Sequence, residues 1–181
     1  MIRTAPPRSP VPSFALIALL GVALAGPPAF GQTTAPAAPA SAPDRILVLK
    51  SERKLLLLAG DTVIRSMDIG LGLMPEGPKR REGDFRTPEG SYTIEEKKSD
   101  SDYFLALRIS YPNAADVAQA RSLGVDPGGE IMIHGLPNEP KRAESAYSGS
   151  DWTDGCIAVS NSDMIDLWRL ISVATPIEIR P

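Results

Sequence analysis

The chain has 181 residues, 43% of them apolar, with 19 basic and 22 acidic side chains, one histidine and one cysteine. That is enough length and apolar content for one domain of ordinary size with extensions. The net charge of −3 argues against a nucleic-acid-binding surface, and one cysteine excludes an internal disulfide.

The N-terminus carries Arg3 and Arg8, then the uncharged run Val11 to Ala25, then small residues that offer cleavage after Ala25 or Gly31. This order is that of a secretory signal peptide, assigned to residues 1–31. The rival reading is a retained membrane anchor, against which stand the shortness of the run and the breaks at Pro12, Gly21 and Gly26. Either way the remainder is exported. Loss of residues 1–31 removes two basic and no acidic residues, leaving 17 basic against 22 acidic and a charge of −5. Residues 32–44 are almost wholly Ala, Pro, Thr and Ser, which favour extended conformers and build no core, so they read as a linker.

Residues 45–181 read as the folded domain. Arg45 to Lys50, Lys54 to Leu58 and Thr62 to Ile69 are short apolar runs separated by turn residues, and three strands fit them best. The glycines and prolines from Gly70 to Pro78 then break regular structure ahead of the charged Lys79-Arg80-Arg81-Glu82. Thr87-Pro88-Glu89-Gly90 is a turn leading into the alternating strand Ser91–Glu95. Another strand is expected over Phe104–Ser110. A helix is expected over residues 113–123, capped by Asn113 and stopped by Gly124. Asp126 to Gly129 turns the chain into Glu130–Ile133, a strand that delivers His134. Leu136 to Ser150 reads as a surface loop or flap. A second helix runs from a Ser160 or Asn161 cap to Leu170, with Met164, Ile165, Leu167, Trp168 and Ile171 mostly on one side. Pro176–Ile179 is a last strand. Many strands with two short helices indicate a mainly β domain.

The only histidine, His134, and the only cysteine, Cys156, are each followed or preceded by a glycine. In an oxidising compartment a lone thiol makes no crosslink and is open to oxidation, so reactivity explains it better than its plain alternative, a small buried hydrophobe. Acyl transfer at sulfur needs a base within hydrogen-bond reach and donors facing the oxyanion. The candidates are Cys156 as nucleophile, His134 as base and then acid, and the amides around Asp154, Gly155 and Cys156 as oxyanion donors. The two side chains lie 22 positions apart, a spacing that suits adjacent strand ends. Ser150, Asp151, Asp154 or a backbone carbonyl could orient the imidazole. Gly135 permits close approach of backbone or substrate. Asp151, Trp152 and Thr153 are candidates for the acyl pocket, although Trp152 is equally suited to pack beneath it. Lys79, Arg80, Arg81 and Arg86 are candidates for binding substrate carboxylates, or else a solvated loop. A zinc site would need two carboxylates beside one Cys and one His, with no ligand spacing to support them, so neither metal nor cofactor is expected.

Three ordered motifs, Thr87-Pro88-Glu89-Gly90, Ile133-His134-Gly135 and Thr153-Asp154-Gly155-Cys156-Ile157, resemble the YkuD-type L,D-transpeptidase catalytic domain over roughly Arg45 to Arg180. The resemblance implies a β-sandwich-like fold located in the periplasm or cell envelope. It implies a Cys/His centre that attacks peptidoglycan stem peptides between diaminopimelate and D-Ala, forms a thioester and passes the acyl group to an amine. Peptidoglycan stem peptides are then the partner, with the membrane a partner only if residues 1–31 are retained, and the chain is expected to act as a monomer. Asp154 and Ala158 depart from the common motif, which has Arg two residues after the cysteine. The version here is similar to the YafK-like subgroup, in which hydrolysis of a peptidoglycan amide by the same pair is an alternative outcome. A sortase-like enzyme would share the order His, Cys, downstream Arg, with Arg169 or Arg180 available, but the glycine before Cys156 and the Thr-Pro-Glu-Gly element count against it. Papain-like peptidases run in the reverse order, and an inactive wall-binding module would not need His134 and Cys156.

Overall fold

In a computed structural model of the protein, residues 42–181 are described. The expected signal peptide over residues 1–31, and the linker as far as residue 41, lie outside that span. No helix within the span is long and apolar enough to cross a membrane.

The domain opens with three antiparallel strands, β1 (Arg45–Leu49), β2 (Lys54–Ala59) and β3 (Thr62–Asp68). Alternation sends Ile46, Val48, Leu55 and Leu57 to the core, where each is fully buried. The leucine run of β2 has helical propensity, but both its edges are paired, with β1 and β3, and that pairing overrides it.

The remaining strands are β4 (Gly90–Lys98), β5 (Ala106–Ile109), β6 (Met132–His134), β7 (Ile157–Ala158) and β8 (Pro176–Arg180). Across the sheet the order is β3-β2-β1-β8-β4-β5-β6-β7, with β1–β8 and β6–β7 parallel. The long β4 joins the two halves. Its residues Gly90–Thr93 pair with β8, Ile94–Lys98 pair with β5, and the register shifts between Ile94 and Glu96. A bulge there bends the strand, so the sheet curls and both halves face one core that contains Ile46, Leu57, Ile94, Ile133, Ile157 and Ile177. The outcome is the expected mainly β, sandwich-like architecture.

Two α-helices are present among the described residues. In α1 (Ala114–Leu123), Asn113 and Asp116 form a reciprocal capping box and Gly124, at φ 68°, ends the helix. In α2 (Asn161–Leu170), Ser160 caps the amide of Asp163, and Met164 and Leu167 are buried. Ile165 was expected on the same side but is 36% exposed, because it lies one residue off the Met164–Leu167–Ile171 stripe.

Two strands start later than their composition predicts. Phe104, at φ 64°, is still turning, so β5 begins at Ala106. Glu130, at φ 53°, extends the Asp126–Gly129 turn by one residue, so β6 begins at Met132. The loop over residues 136–150 contains one turn of 3-10 helix, Glu144–Ala146, and is anchored by the buried Tyr147.

Candidate active site

β6 ends on His134 and β7 begins directly after Cys156. The parallel register sets Ile133 beside Ile157 and His134 beside Ala158, which brings Cys156 level with Met132. Residues two apart on a strand share a face, so His134, Ala158 and Cys156 lie on one face of this strand pair and both Ile residues on the other. His134 and Cys156 line a single cavity of about 350 Å³.

The imidazole is almost wholly buried. Its Nδ1 lies 2.7 Å from the carbonyl oxygen of Gly135. A carbonyl only accepts, so Nδ1 carries the proton and Nε2 presents its lone pair. Burial pulls the His134 pKa below 6.5 and the bond to Gly135 opposes that only in part. The ring is therefore neutral at neutral pH, the state of a base. Tyr103 leans over it at 4.5 Å between ring centroids, and Trp152 meets it edge-on at 5.5 Å.

Cys156 is reached by solvent at the cavity floor, yet protein surrounds it on its other sides. That surrounding low dielectric raises the thiol pKa above its ordinary 9.0. The Met132 amide works in the opposite direction, the charges of Asp154 and Glu130 add to the rise, and Lys79 reduces it. The Sγ–H donates to the carbonyl of Glu130 at 3.6 Å. Among the described residues no hydrogen bond joins Sγ to His134, so the pair rests as a neutral thiol beside a neutral imidazole.

The loop carrying Cys156 is held from below by the chain leaving β3. Gly70 and Ala158 exchange backbone hydrogen bonds at 2.9 and 2.8 Å, the amides of Trp152 and Thr153 donate to Leu71 O, and Leu73 N donates to Thr153 O. This clamp needs glycine at position 72, where a Cβ would stand 2.2 Å from the carbonyl oxygen of Phe85. The buried Thr153 closes the turn, donating to Cys156 O at 2.7 Å and accepting from Gly155 N at 3.2 Å. Gly155 has φ 132° and would drive a Cβ to 2.6 Å from the Arg86 carbonyl oxygen.

Of the residues singled out in the sequence, His134, Trp152, Thr153, Asp154 and Cys156 line the common cavity. The others do not. Gly135 is packed against Asn161 and Phe104, and its contribution is the carbonyl that orients the imidazole. Asp151 forms an ion pair with Arg53 at 2.7 Å and accepts from the amide of Leu71 at 2.9 Å, so it braces the loop instead of facing substrate or His134. Arg86 lines a separate hollow with Arg80 and Arg81, while Lys79 is buried in an ion pair with Asp84 at 2.9 Å. The basic stretch is thus partly structural. Gly155 N–H is occupied by Thr153 and does not open freely into the cavity.

Sequence reasoning misses Tyr103, Glu130 and Met132. Tyr103 stands in a polar break with no periodicity, and the other two act through backbone atoms, which leave no residue-type signal. No three His, Cys, Asp or Glu side chains converge to hold a metal ion among the described residues.

Residues 43–179 match the family model described as the YkuD L,D-transpeptidase catalytic domain. The curated Escherichia coli K12 protein named "Putative L,D-transpeptidase YafK" is 33% identical over 100 residues, covering 54% of this chain and 33% of that protein. The crystal structure of the helical cell shape determining protein Pgp2 from Campylobacter jejuni is similar at 26% identity and a TM-score of 0.56, over 75% of this chain and 46% of that one. Bd1075 of Bdellovibrio bacteriovorus is similar at 31% identity and a TM-score of 0.51, over 75% and 47% of the two chains. The chain spans about a third of the curated relative's length and under half of these two solved structures. With the match running over residues 43–179 of 181, the chain belongs to the YkuD L,D-transpeptidase catalytic domain family.

Proposed function

We propose that the protein is an exported L,D-transpeptidase, with residues 1–31 as signal peptide, 32–44 as linker and 45–181 as the catalytic domain. Its substrates are peptidoglycan stem tetrapeptides. The observation that carries this reading is the shared cavity of Cys156 and His134, with the imidazole fixed in the tautomer that leaves Nε2 free to accept a proton.

The reaction follows from that arrangement. Substrate brings the diaminopimelate carbonyl onto Sγ; the sulfur attacks as its proton passes to His134 Nε2. The charge developing on the carbonyl oxygen is met by amides of the Asp154–Cys156 turn, Gly155 contributing once its long bond to Thr153 is released. His134 returns the proton to the departing D-Ala amine, which leaves a Cys156 thioester. An acceptor amine then attacks the thioester and gives its proton to His134, and the thiol is restored. Trp152, Thr153, Asp154 and Tyr103 form the walls against which the stem peptide lies.

Incubation of the protein with muropeptide tetrapeptides should give a covalent adduct whose mass equals the donor less D-Ala, absent in Cys156→Ser. Product formed by Cys156→Ser at the parental rate would refute the mechanism. Running the incubation with and without an added amine acceptor reads transfer directly; product in which water alone resolves the thioester would replace transfer by hydrolysis.

A further inference from the structure

The carbonyl that holds the Cys156 proton comes from an unusual place. Glu130 takes φ 53°, a conformation that residues with a Cβ adopt only when their surroundings hold them there. No backbone hydrogen bond among the described residues engages its carbonyl, because the β5–β6 ladder begins one residue later, where Ile109 N donates to Ile131 O at 3.0 Å. Its side chain, by contrast, is engaged. Glu130 Oε1 accepts from Arg108 Nη1 at 3.2 Å. Arg108 stands on β5 in register with Glu96 of β4 on one side and Met132 of β6 on the other, and its guanidinium also meets Glu96 at 3.1 Å and Glu95 at 3.8 Å. The guanidinium is thus fixed from β4, and it fixes Glu130 in turn.

We propose that Arg108 is a positioning residue for Cys156, holding the Glu130 carboxylate so that the carbonyl of the same residue stays on the Cys156 S–H. A carbonyl oxygen at the sulfur favours the protonated thiol, since it accepts from S–H and repels a thiolate. The other charged or titratable groups facing the sulfur are Asp154 on its own loop, Lys79 from the β3–β4 connection, His134 on β6, and Tyr103 with Lys98, Asp100 and Asp102 on the β4–β5 rim. Arg108 variants leave all of these in place.

The sign of the effect separates positioning from simple charge. Removing a cation near a thiol disfavours the thiolate and moves its titration to higher pH. Releasing the Glu130 carbonyl moves it to lower pH. The test is the rate of iodoacetamide alkylation of the full chain across pH, which reads the thiol without any substrate and so fails or succeeds independently of the reaction proposed above. Arg108→Met should shift the profile to lower pH and speed alkylation at neutral pH by roughly two- to fivefold, the equilibrium weight of one modest hydrogen bond. Arg108→Lys, which can still hold Glu130, should keep the parental profile. An unchanged profile in Arg108→Met, or one moved to higher pH, overturns the proposal. If Arg108→Met does not fold by circular dichroism, Glu130→Ala in high salt replaces it, the salt screening the lost carboxylate charge; the shift to lower pH should persist there, and its absence overturns the proposal equally.

Discussion

Gly155→Ala tests whether the turn before Cys156 is as tightly specified as it looks. Two penalties meet at this position. The backbone sits at φ 132°, a region nearly closed to residues with a Cβ, and holding alanine there costs about 1–3 kcal/mol. The new Cβ would also lie 2.6 Å from the Arg86 carbonyl oxygen, 0.8 Å inside the 3.4 Å of ordinary contact, and 3.3 Å from Ile131 Cδ1. The carbonyl cannot rotate away as a side chain would: Arg86 N is tied to Asp84, and the neighbouring Thr87 is buried and bonded to Gly72 N. Overpacking of this kind costs about 1–3 kcal/mol. Together the substitution should destabilise by about 2–6 kcal/mol, a large share of the ~5–15 kcal/mol typical of a domain. Urea unfolding reads it, with Gly60→Ala as control, since Gly60 also has positive φ, 56°, but nothing within 4 Å of its Cβ position. A Gly155→Ala cost within about 0.5 kcal/mol of the control's would refute the clash and with it the argument that Arg86 and Gly155 are locked together.

His134, pulled below 6.5 by burial, binds its proton less tightly folded than unfolded. Stability should therefore rise with pH between the folded value and 6.5 and fall toward acid, and His134→Gln should flatten that slope in urea midpoints taken across pH; an unchanged slope counts against a buried neutral ring. Lys50→Met strands three acceptors, Gly77 O at 2.8 Å, Thr87 O at 2.9 Å and Glu89 Oε1 at 2.8 Å, around a lysine only 2% exposed. Breaking one side of a buried pair should cost about 3–5 kcal/mol in the same assay, and a loss under about 1 kcal/mol would show that the acceptors find water instead. Asp84 is held below 3.8: burial pushes it up, but bonds from the Arg80 amide, the Lys79 ammonium and the amides of Arg86 and Arg81 outweigh that. Its contribution is present above 3.8 and lost as pH falls through the lower folded value, so Asp84→Asn should be less stable at neutral pH and show a flatter acid limb; equal stability at neutral pH would refute it.

The strands of the first half are legible because apolar alternation and turn residues coincide: Ile46, Val48, Leu55 and Leu57 are placed by period alone. The caps at Asn113 and Ser160 are legible because a single side chain decides them. What escapes is decided by backbone conformation or by contacts far apart in the chain. Nothing in residue type announces that Glu130 turns to positive φ and points its carbonyl at sulfur. The sequence leaves the orienter of His134 open among four candidates, and the structure gives the role to Gly135 O because Asp151 is drawn 98 positions away to Arg53. Arg86 and Lys79 look like substrate ligands by charge; that Asp84 pairs with Lys79, and that Arg86 opens onto a separate hollow, becomes visible only when the loop is folded.

A carbonyl as the orienter of His134 has a chemical consequence. A carboxylate on Nδ1 would stabilise imidazolium, raise the ring's basicity and draw the thiol proton across before substrate arrives. The Gly135 carbonyl is uncharged, burial lowers the imidazole further, and burial raises the thiol above 9.0, so the thiolate–imidazolium pair is disfavoured from both ends. Under the proposed reaction the sulfur must then lose its proton as it attacks, when the forming bond to carbon compensates for the charge separation. Oxidation proceeds through the thiolate, so the same arrangement slows oxidation of a solitary cysteine, which suits the proposed export, and under the proposed reaction it leaves the sulfur competent toward an acyl group seated over it. The resting hydrogen bond from Sγ to Glu130, instead of to His134, fits that arrangement: under the proposed reaction the proton stays on sulfur, away from the base, until a substrate carbonyl enters the cavity.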